Sequence, residues 1–450
     1  MKNRTKASSN QDARLSRRAF LRSSISAAAA FTIVPRGVLG GPRVVPPSEK
    51  LNIAFIGAGG QGERNIRQLA AENIVALCDV DEERAAEAYK LYPGVPKYRD
   101  FRRMLDKEKN IDAVVVTTPD HTHAVAAMMA VKMGKHVYCE KPLTYSIHEA
   151  RLLTQAARNA NVVTQMGIHH HAGEALRVGV EVLQSGCIGH IREVHVWTIR
   201  PEVLWTQGIA RPQDTPPVPE TLDWDLWLGP APSRPYNPAY VPFTWRGWWD
   251  FGTGAIGNMA CHVMDLAFWA LSLNRRAVSV EARTTRFNQE TYPAASLVRY
   301  EFGPIDDMPP LTMTWYDGGI LPWRPRELEP SRKLPAHGGI YIGEKGTIMA
   351  DLGGGPRLIP ESKMKDFKLP ERKLPKSLGQ HEEWVLACKG GPKPLADFDY
   401  AGPLTELALL GNLAIRTGQR LEWDSASAKV TNVPEANQYI HRQYREGWTL

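Results

Sequence analysis

A chain of 450 residues with 43% hydrophobic positions can bury two ordinary cores, and one core of that size would be strained. Its formal charge of +7 suggests a polyanionic partner until the charge is located. Residues 1–40 hold Lys2, Arg4, Lys6, Arg14, Arg17, Arg18, Arg22 and Arg36 against Asp12 alone, which accounts for the whole excess. The remainder is near neutral with no basic stripe, which excludes nucleic acid as an expected partner.

In chain order, the first forty residues read as an address. A basic stretch leads into Ser16-Arg17-Arg18-Ala19-Phe20-Leu21-Arg22 and then a mild apolar run from Ile25 to Val34. This resembles a twin-arginine signal, which implies the export machinery as a partner and a periplasmic or otherwise exported protein. The apolar run is too short for an ordinary membrane span, so no stable anchor is expected. A Pro-rich linker covers 41–50. Five cysteines, widely spaced and without a C-x-x-C pair, suggest neither a disulfide framework nor a zinc knuckle.

The run from Leu51 to Ile56 is short, apolar and ends in glycines, as a buried parallel strand should. A helix follows over Glu63 to Ala71, a strand over Ile74 to Cys78, a helix over Asp81 to Leu91 and a strand over Ala113 to Val116. A helix from His123 to Met133, a strand from His136 to Cys139 and a helix from Ser146 to Asn159 continue the alternation. That pattern predicts a doubly wound parallel sheet, a dinucleotide-binding domain over 51–167. After Gln165 the texture changes. Strand-like runs at Glu193 to Ile199, Ala277 to Thr284, Ser296 to Glu301 and Leu311 to Trp315 recur without intervening helices. They predict a second, α+β domain over 168–450, with a large and mainly antiparallel sheet.

Gly57-Ala58-Gly59-Gly60-Gln61-Gly62 fits G-x-G-x-x-G, follows a predicted strand and opens a helix, and Asp79 stands 22 residues after Gly57. The glycines permit a tight turn, a close approach to a pyrophosphate and helix–strand packing, while the helix N-terminus faces the anion. Asp79 would bind the adenosine ribose hydroxyls and repel a 2′-phosphate, which favours NAD over NADP. Thr118, Pro119, His121 and His123 lie just past the strand ending at Val116. Glu140 and Lys141 close the next strand at the same edge, where ligands bind in open α/β sheets. A lysine desolvated in such a crevice has its pKa lowered toward useful acid/base range.

These motifs, with Gly252-Thr253-Gly254-Ala255-Ile256-Gly257-Asn258-Met259-Ala260-Cys261-His262, resemble the glucose-fructose oxidoreductase/inositol dehydrogenase/MocA family over roughly residues 51 to 450. The resemblance implies that Lys141 is the acid/base, assisted by His262. It also implies a homodimer or homotetramer formed through the open face of the second sheet. The family commonly carries aspartate where this chain has Asn258, which is expected to orient the His262 ring without lending it charge, leaving His262 a weak base.

Gln165 is expected beside the cofactor. His169 and His171 are expected to contact substrate or cofactor. The run His169-His170-His171 is read as a strand, whose consecutive side chains alternate in direction and so cannot grip one ion, and no metal is expected. Seven of the thirteen tryptophans fall between Trp197 and Trp249. Arg246, Trp248 and Asp250 are the expected sugar-binding residues, since aromatic faces stack on sugar rings.

The expected function is hydride transfer between NAD and a sugar, polyol or glycoside, with the cofactor retained through export. Two alternatives stay open. One is a redox-neutral, NAD-assisted glycoside hydrolase, lyase or epimerase, and the other is a non-catalytic carbohydrate-binding protein on the same fold.

Overall fold

The computed structural model describes residues 49–450 except Val203, Arg275, Arg276, Asp307 and Gly354. The expected twin-arginine segment and nearly all of the linker lie outside the described residues. Residues 51–450 form one compact unit.

The first half alternates as the apolar spacing requires. It runs β1 (Asn52–Ile56), α1 (Gln61–Gln68), β2 (Asn73–Cys78), α2 (Glu82–Leu91), β3 (Lys97–Tyr98), α3 (Phe101–Lys107), β4 (Ala113–Val116), α4 (Asp120–Lys132), β5 (His136–Glu140), α5 (Ile147–Ala160) and β6 (Thr164–Gly167). All six strands are parallel in the order β3-β2-β1-β4-β5-β6, so the strand order reverses between β1 and β4. Successive strand residues alternate between two buried faces. Ile53, Phe55, Leu77, Val115 and Tyr138 pack with α1 and α2, whereas Ala54, Ile56, Val114, Val116 and Val137 pack with α3, α4 and α5. Local caps fix the helix starts: Asp81 accepts from Glu83 and Arg84 to open α2, and Ser146 with Glu149 forms a capping box at α5.

The second half continues with α6 (Glu174–Gln184), β7 (Ile191–Thr198), α7 (Trp224–Leu228), α8 (Gly254–Val263), α9 (Asp265–Ala270), β8 (Ala277–Thr284), β9 (Ser296–Phe302), β10 (Leu311–Tyr316), β11 (His337–Gly343), β12 (Thr347–Asp351) and β13 (Arg357–Ile359). It ends with α10 (Gln380–Cys388), α11 (Phe398–Thr417), β14 (Leu421–Asp424) and β15 (Lys429–Val430). The nine strands form one sheet in the order β13-β12-β11-β7-β10-β9-β8-β14-β15, antiparallel throughout except for the β7–β10 pair.

One expectation is corrected here. The strands do not recur without helices, because α7, α8 and α9 stand between β7 and β8. Every residue of α8 is buried, so it shows no polar face and no amphipathic period to reveal it as a helix. The same holds for most of α11, which packs against α5, α8 and β8. The chain also returns to the first sheet, where Trp384 of α10 is fully buried against Tyr138. Among the described residues, no helix is long and apolar enough to cross a membrane. All five cysteines are free thiols.

Candidate active site

A cavity of 560 Å³ opens at the carboxyl ends of β1, β2, β4 and β5, at the point where the strand order reverses. Gly57, Gly59, Gln61, Asp79, Thr118 and Pro119 line it, as do His123, Glu140, Lys141, His169, Arg246 and His262.

The glycine loop is built for backbone contact. Gly57 has φ of +86°, and a Cβ there would sit 2.8 Å from the Thr117 carbonyl carbon. A Cβ on Gly62 would sit 1.9 Å from the Gly57 carbonyl oxygen, so α1 can approach β1 this closely only without a side chain. Gly59 lies against α2, where a Cβ would sit 2.6 Å from the Arg84 carbonyl oxygen, so its missing side chain serves helix packing. Gly60, which precedes α1, supplies no side-chain cap, so no side chain closes this helix N-terminus to an anion, although the Gly62 amide already donates to the Gly59 carbonyl at 3.0 Å.

Asp79 Oδ2 accepts from the Ala58 and Gly59 amides, both at 2.9 Å, and Oδ1 accepts from Asp81 N at 3.0 Å. Burial raises its pKa, against the pull of those three amides. The carboxylate therefore holds the loop as well as facing the cavity. Arg64, Arg84 and Arg99 join the same wall from α1, α2 and the turn before α3. No local motif marked these arginines, because their convergence depends on the packing of three elements. A glycine cradle closed to side chains, a helix N-terminus without a cap and a carboxylate at the β2 end together fit a dinucleotide.

At the other end of the cavity, Lys141 Nζ donates to the main-chain carbonyl of Asn258 at 2.9 Å. With the Asn258 amide oriented so that its donors and acceptors are all matched, its side-chain oxygen also accepts from Lys141 Nζ at 3.0 Å and Arg246 Nε at 3.1 Å. Burial, then the nearby Arg246 charge, lowers the Lys141 pKa, with Asp120 and Glu140 opposing. Arg246 is itself lowered to about 10 by burial. Glu140 accepts from Asn65 Nδ2 at 3.0 Å and is raised chiefly by burial. Asp120 was not expected at the site. It lines the cavity, accepts from Thr253 N at 3.1 Å and from Thr253 Oγ1 at 2.6 Å, and faces both cations.

His262 reaches the cavity from the last turn of α8, but Asn258 does not orient it as expected. The asparagine is engaged by Lys141 and Arg246, and His262 Nδ1 is buried without a hydrogen-bond partner among the described residues. Burial first, then Lys141, His169 and His170, holds its pKa well below the ordinary histidine value. The ring is neutral at physiological pH and a poor proton acceptor.

Several expected contacts fall elsewhere. His121 is buried with its ring nitrogens 3.2 Å from the Phe251 carbonyl and 2.9 Å from the Trp227 carbonyl, so it ties α4 to the second half. Gln165 lies within β6, buried and off the cavity wall. His171 is 1% exposed, 3.0 Å from an Asp265 oxygen and stacked on Trp269. Trp248 is core: it donates to the Ala239 carbonyl at 2.8 Å and packs edge-on to Tyr240. Asp250 is paired with Arg234 rather than open to a sugar. The aromatic residues on the wall are instead Phe101, Trp227, Phe243 and Trp245, with the Arg246 guanidinium over the Phe243 and Trp245 rings at 4.4 and 4.2 Å.

The reading of 169–171 as a strand is also corrected. β6 ends at Gly167, and the three histidines sit in consecutive turns. Strand alternation does not apply, and the His169 and His170 rings lie 3.9 Å apart, centroid to centroid.

Comparison with known proteins agrees with this architecture. Residues 51–168 match a family model described as an oxidoreductase family, NAD-binding Rossmann fold. Residues 182–303 match the C-terminal alpha/beta domain of the same oxidoreductase family. Levoglucosan dehydrogenase of Pseudarthrobacter phenanthrenivorans is 26% identical over 231 residues, 49% of this chain and 50% of that protein. Inositol 2-dehydrogenase 2 of Saccharopolyspora erythraea is 34% identical over 150 residues, 32% of this chain and 44% of that protein. The chain thus spans half or less of the length of these curated relatives. The crystal structure of the WlbA dehydrogenase from Bordetella pertussis, in complex with NADH and UDP-GlcNAcA, superposes with a TM-score of 0.58. It is 20% identical, over 83% of this chain and 99% of that one. Levoglucosan dehydrogenase in complex with NADH gives a TM-score of 0.55 at 17% identity, over 83% of this chain and 99% of that one. At these identities the two structures speak to the fold.

Proposed function

The chain belongs to the Gfo/Idh/MocA oxidoreductase family, its two domain models together covering more than half of the 450 residues, and from that premise we propose an NAD-dependent oxidoreductase acting on a hydroxyl-bearing carbon of a sugar, polyol or glycoside. The observation that carries this reading is the Lys141 amine, desolvated and held by Asn258 at one end of a cavity whose other end is the glycine cradle and Asp79.

Bound NAD supplies a hydride acceptor at its nicotinamide ring. Lys141 takes the hydroxyl proton: its lowered pKa raises the fraction of free amine near neutral pH, which is the form that can accept it. Asn258 fixes the amine by accepting from it, and Arg246 and His262 stand within the same cavity to hold substrate oxygens. Phe243 and Trp245 offer aromatic faces for a sugar ring. The levoglucosan and inositol dehydrogenases among the relatives support a cyclic, polyhydroxylated substrate.

The expected export and retention of the cofactor belong to the same reading, supported by the Arg17-Arg18 motif and its Phe20-Leu21-Arg22 continuation. A homodimer or homotetramer is proposed as well, supported by the fully exposed Trp323 with Ile320 and Leu321 nearby.

The test is absorbance at about 340 nm, where reduced nicotinamide absorbs, of purified full-length protein given a panel of sugars and glycosides with and without NAD. A rise with one sugar, abolished in Lys141→Ala that still binds NAD, is the expected result. No rise with any sugar, from a protein that demonstrably holds NAD, would remove the oxidoreductase reading.

A further inference from the structure

His169 and His170 follow β6, and His262 lies in the last turn of α8, some ninety residues later in the chain; the fold nevertheless brings all three rings together. The His169 and His262 ring centroids lie 5.0 Å apart and the His170 and His262 centroids 5.2 Å apart. One ligating atom from each residue lies within 4.8 Å of the others. The Nδ1 atoms of His170 and His262 are both buried without a hydrogen-bond partner among the described residues. A buried polar atom without a partner is costly, and two in one cluster call for a common partner.

The cluster also stands in a wall between two cavities. His169 and His262 line the crevice that holds Lys141, while His170 and His262 line a second cavity of 380 Å³ walled by Tyr341, Asp351 and α6. A bound group there would be reachable from both sides.

We propose that His169, His170 and His262 bind one divalent transition-metal ion of the zinc class, with an open coordination position facing the crevice at Lys141. Three imidazole nitrogens with no thiolate or carboxylate suit zinc, cobalt, nickel or copper and disfavour calcium and magnesium. Three protein ligands with a free position is the pattern of a site that also takes an oxygen of a ligand. On the oxidoreductase reading above, that oxygen belongs to the substrate hydroxyl, and this last assignment alone rests on that reading. His171 is not part of the site, because Asp265 and Trp269 hold its ring elsewhere.

The experiment uses the full chain, stripped with a chelator and titrated with cobalt(II) chloride, reading the visible ligand-field bands and the metal-to-protein ratio after gel filtration. One cobalt per chain with the intense bands of a four-coordinate site is expected, undiminished by excess magnesium. The double variant His169→Ala/His170→Ala should lose the bands, while His195→Ala, on the large sheet, should keep them. Far-ultraviolet circular dichroism and the thermal midpoint of the same samples report whether each variant is folded, since His169 itself lines the crevice. Bands that persist in the double variant, or wild-type protein that binds NAD yet takes up no cobalt, would overturn the metal site and leave the oxidoreductase reading standing. Stoichiometric cobalt in a protein that oxidises no sugar would leave the site standing and remove only the substrate assignment.

Discussion

Lys141 and Asn258 are 117 positions apart in the chain, yet the lysine amine donates to the asparagine main-chain carbonyl at 2.9 Å and to its side-chain oxygen at 3.0 Å. Arg246 shares that side-chain oxygen. Asn258 therefore acts on the lysine, and its neutrality matters because a carboxylate in its place would face two cations. The low pKa of Lys141 depends on burial and on Arg246 being only partly offset by Asp120 and Glu140.

Replacing Lys141 with alanine should lower kcat by about 10² to 10⁴, the usual range for a positioned acid/base, while leaving NAD bound. Turnover and the NAD content of denatured protein, measured on the same preparation, decide it. Unchanged kcat with NAD retained would remove the lysine from proton transfer.

Asn258→Asp should raise the pKa of Lys141, since an added negative charge favours the ammonium form. The catalytic base must be deprotonated to work, so the acidic limb of the kcat profile should move to higher pH. Activity at neutral pH should fall and recover as the pH is raised. A profile that does not move would show that this pair does not set the acidic limb.

Asp79→Ala removes the acceptor for the Ala58 and Gly59 amides as well as the carboxylate facing the cavity. Hydrogen bonds to a charged group contribute about 1.5–3 kcal/mol, so NAD affinity should weaken roughly tenfold to a hundredfold. Titration calorimetry with NAD gives the change directly. An affinity within twofold of wild type would mean that the carboxylate does not contact the cofactor.

Trp384→Ala should destabilise the chain by about 3–5 kcal/mol, because the indole is fully buried in the core of the first sheet and leaves a cavity there. The urea midpoint should drop with little change in slope. A loss under 1 kcal/mol, or about a third of the smallest expected effect, would show that α10 adds little to the first domain.

The first sheet and its cradle are legible in the chain because their determinants are local. There β4 spans Ala113–Val116, and in the second sheet β8 spans Ala277–Thr284, the same residues that their apolar and β-branched runs predict. Helix α11 leaves no such mark although it is twenty residues long, because it is buried nearly all round and lacks the polar stripe that makes periodicity visible.

The sequence by itself marked the glycine turn, the carboxylate and the lysine that the structure brings to one cavity. Gly57, Gly62, Asp79 and Lys141 owe their positions to single turns at strand ends, whose spacing within alternating β and α elements is set by near-neighbour geometry. Tertiary structure alone decided what surrounds that lysine. The candidates Trp248, Asp250 and His171 carry the right chemistry, but packing turned them toward Ala239, Arg234 and Asp265. Asp120 from α4 and Arg246 from the 244–247 turn converge on Lys141, and His262 of α8 joins His169 and His170 after β6, because the two halves of the chain fold against one another at the cavity wall. Such contacts between distant segments leave no periodic or motif signature in the chain, since they depend on which faces the completed sheets leave free.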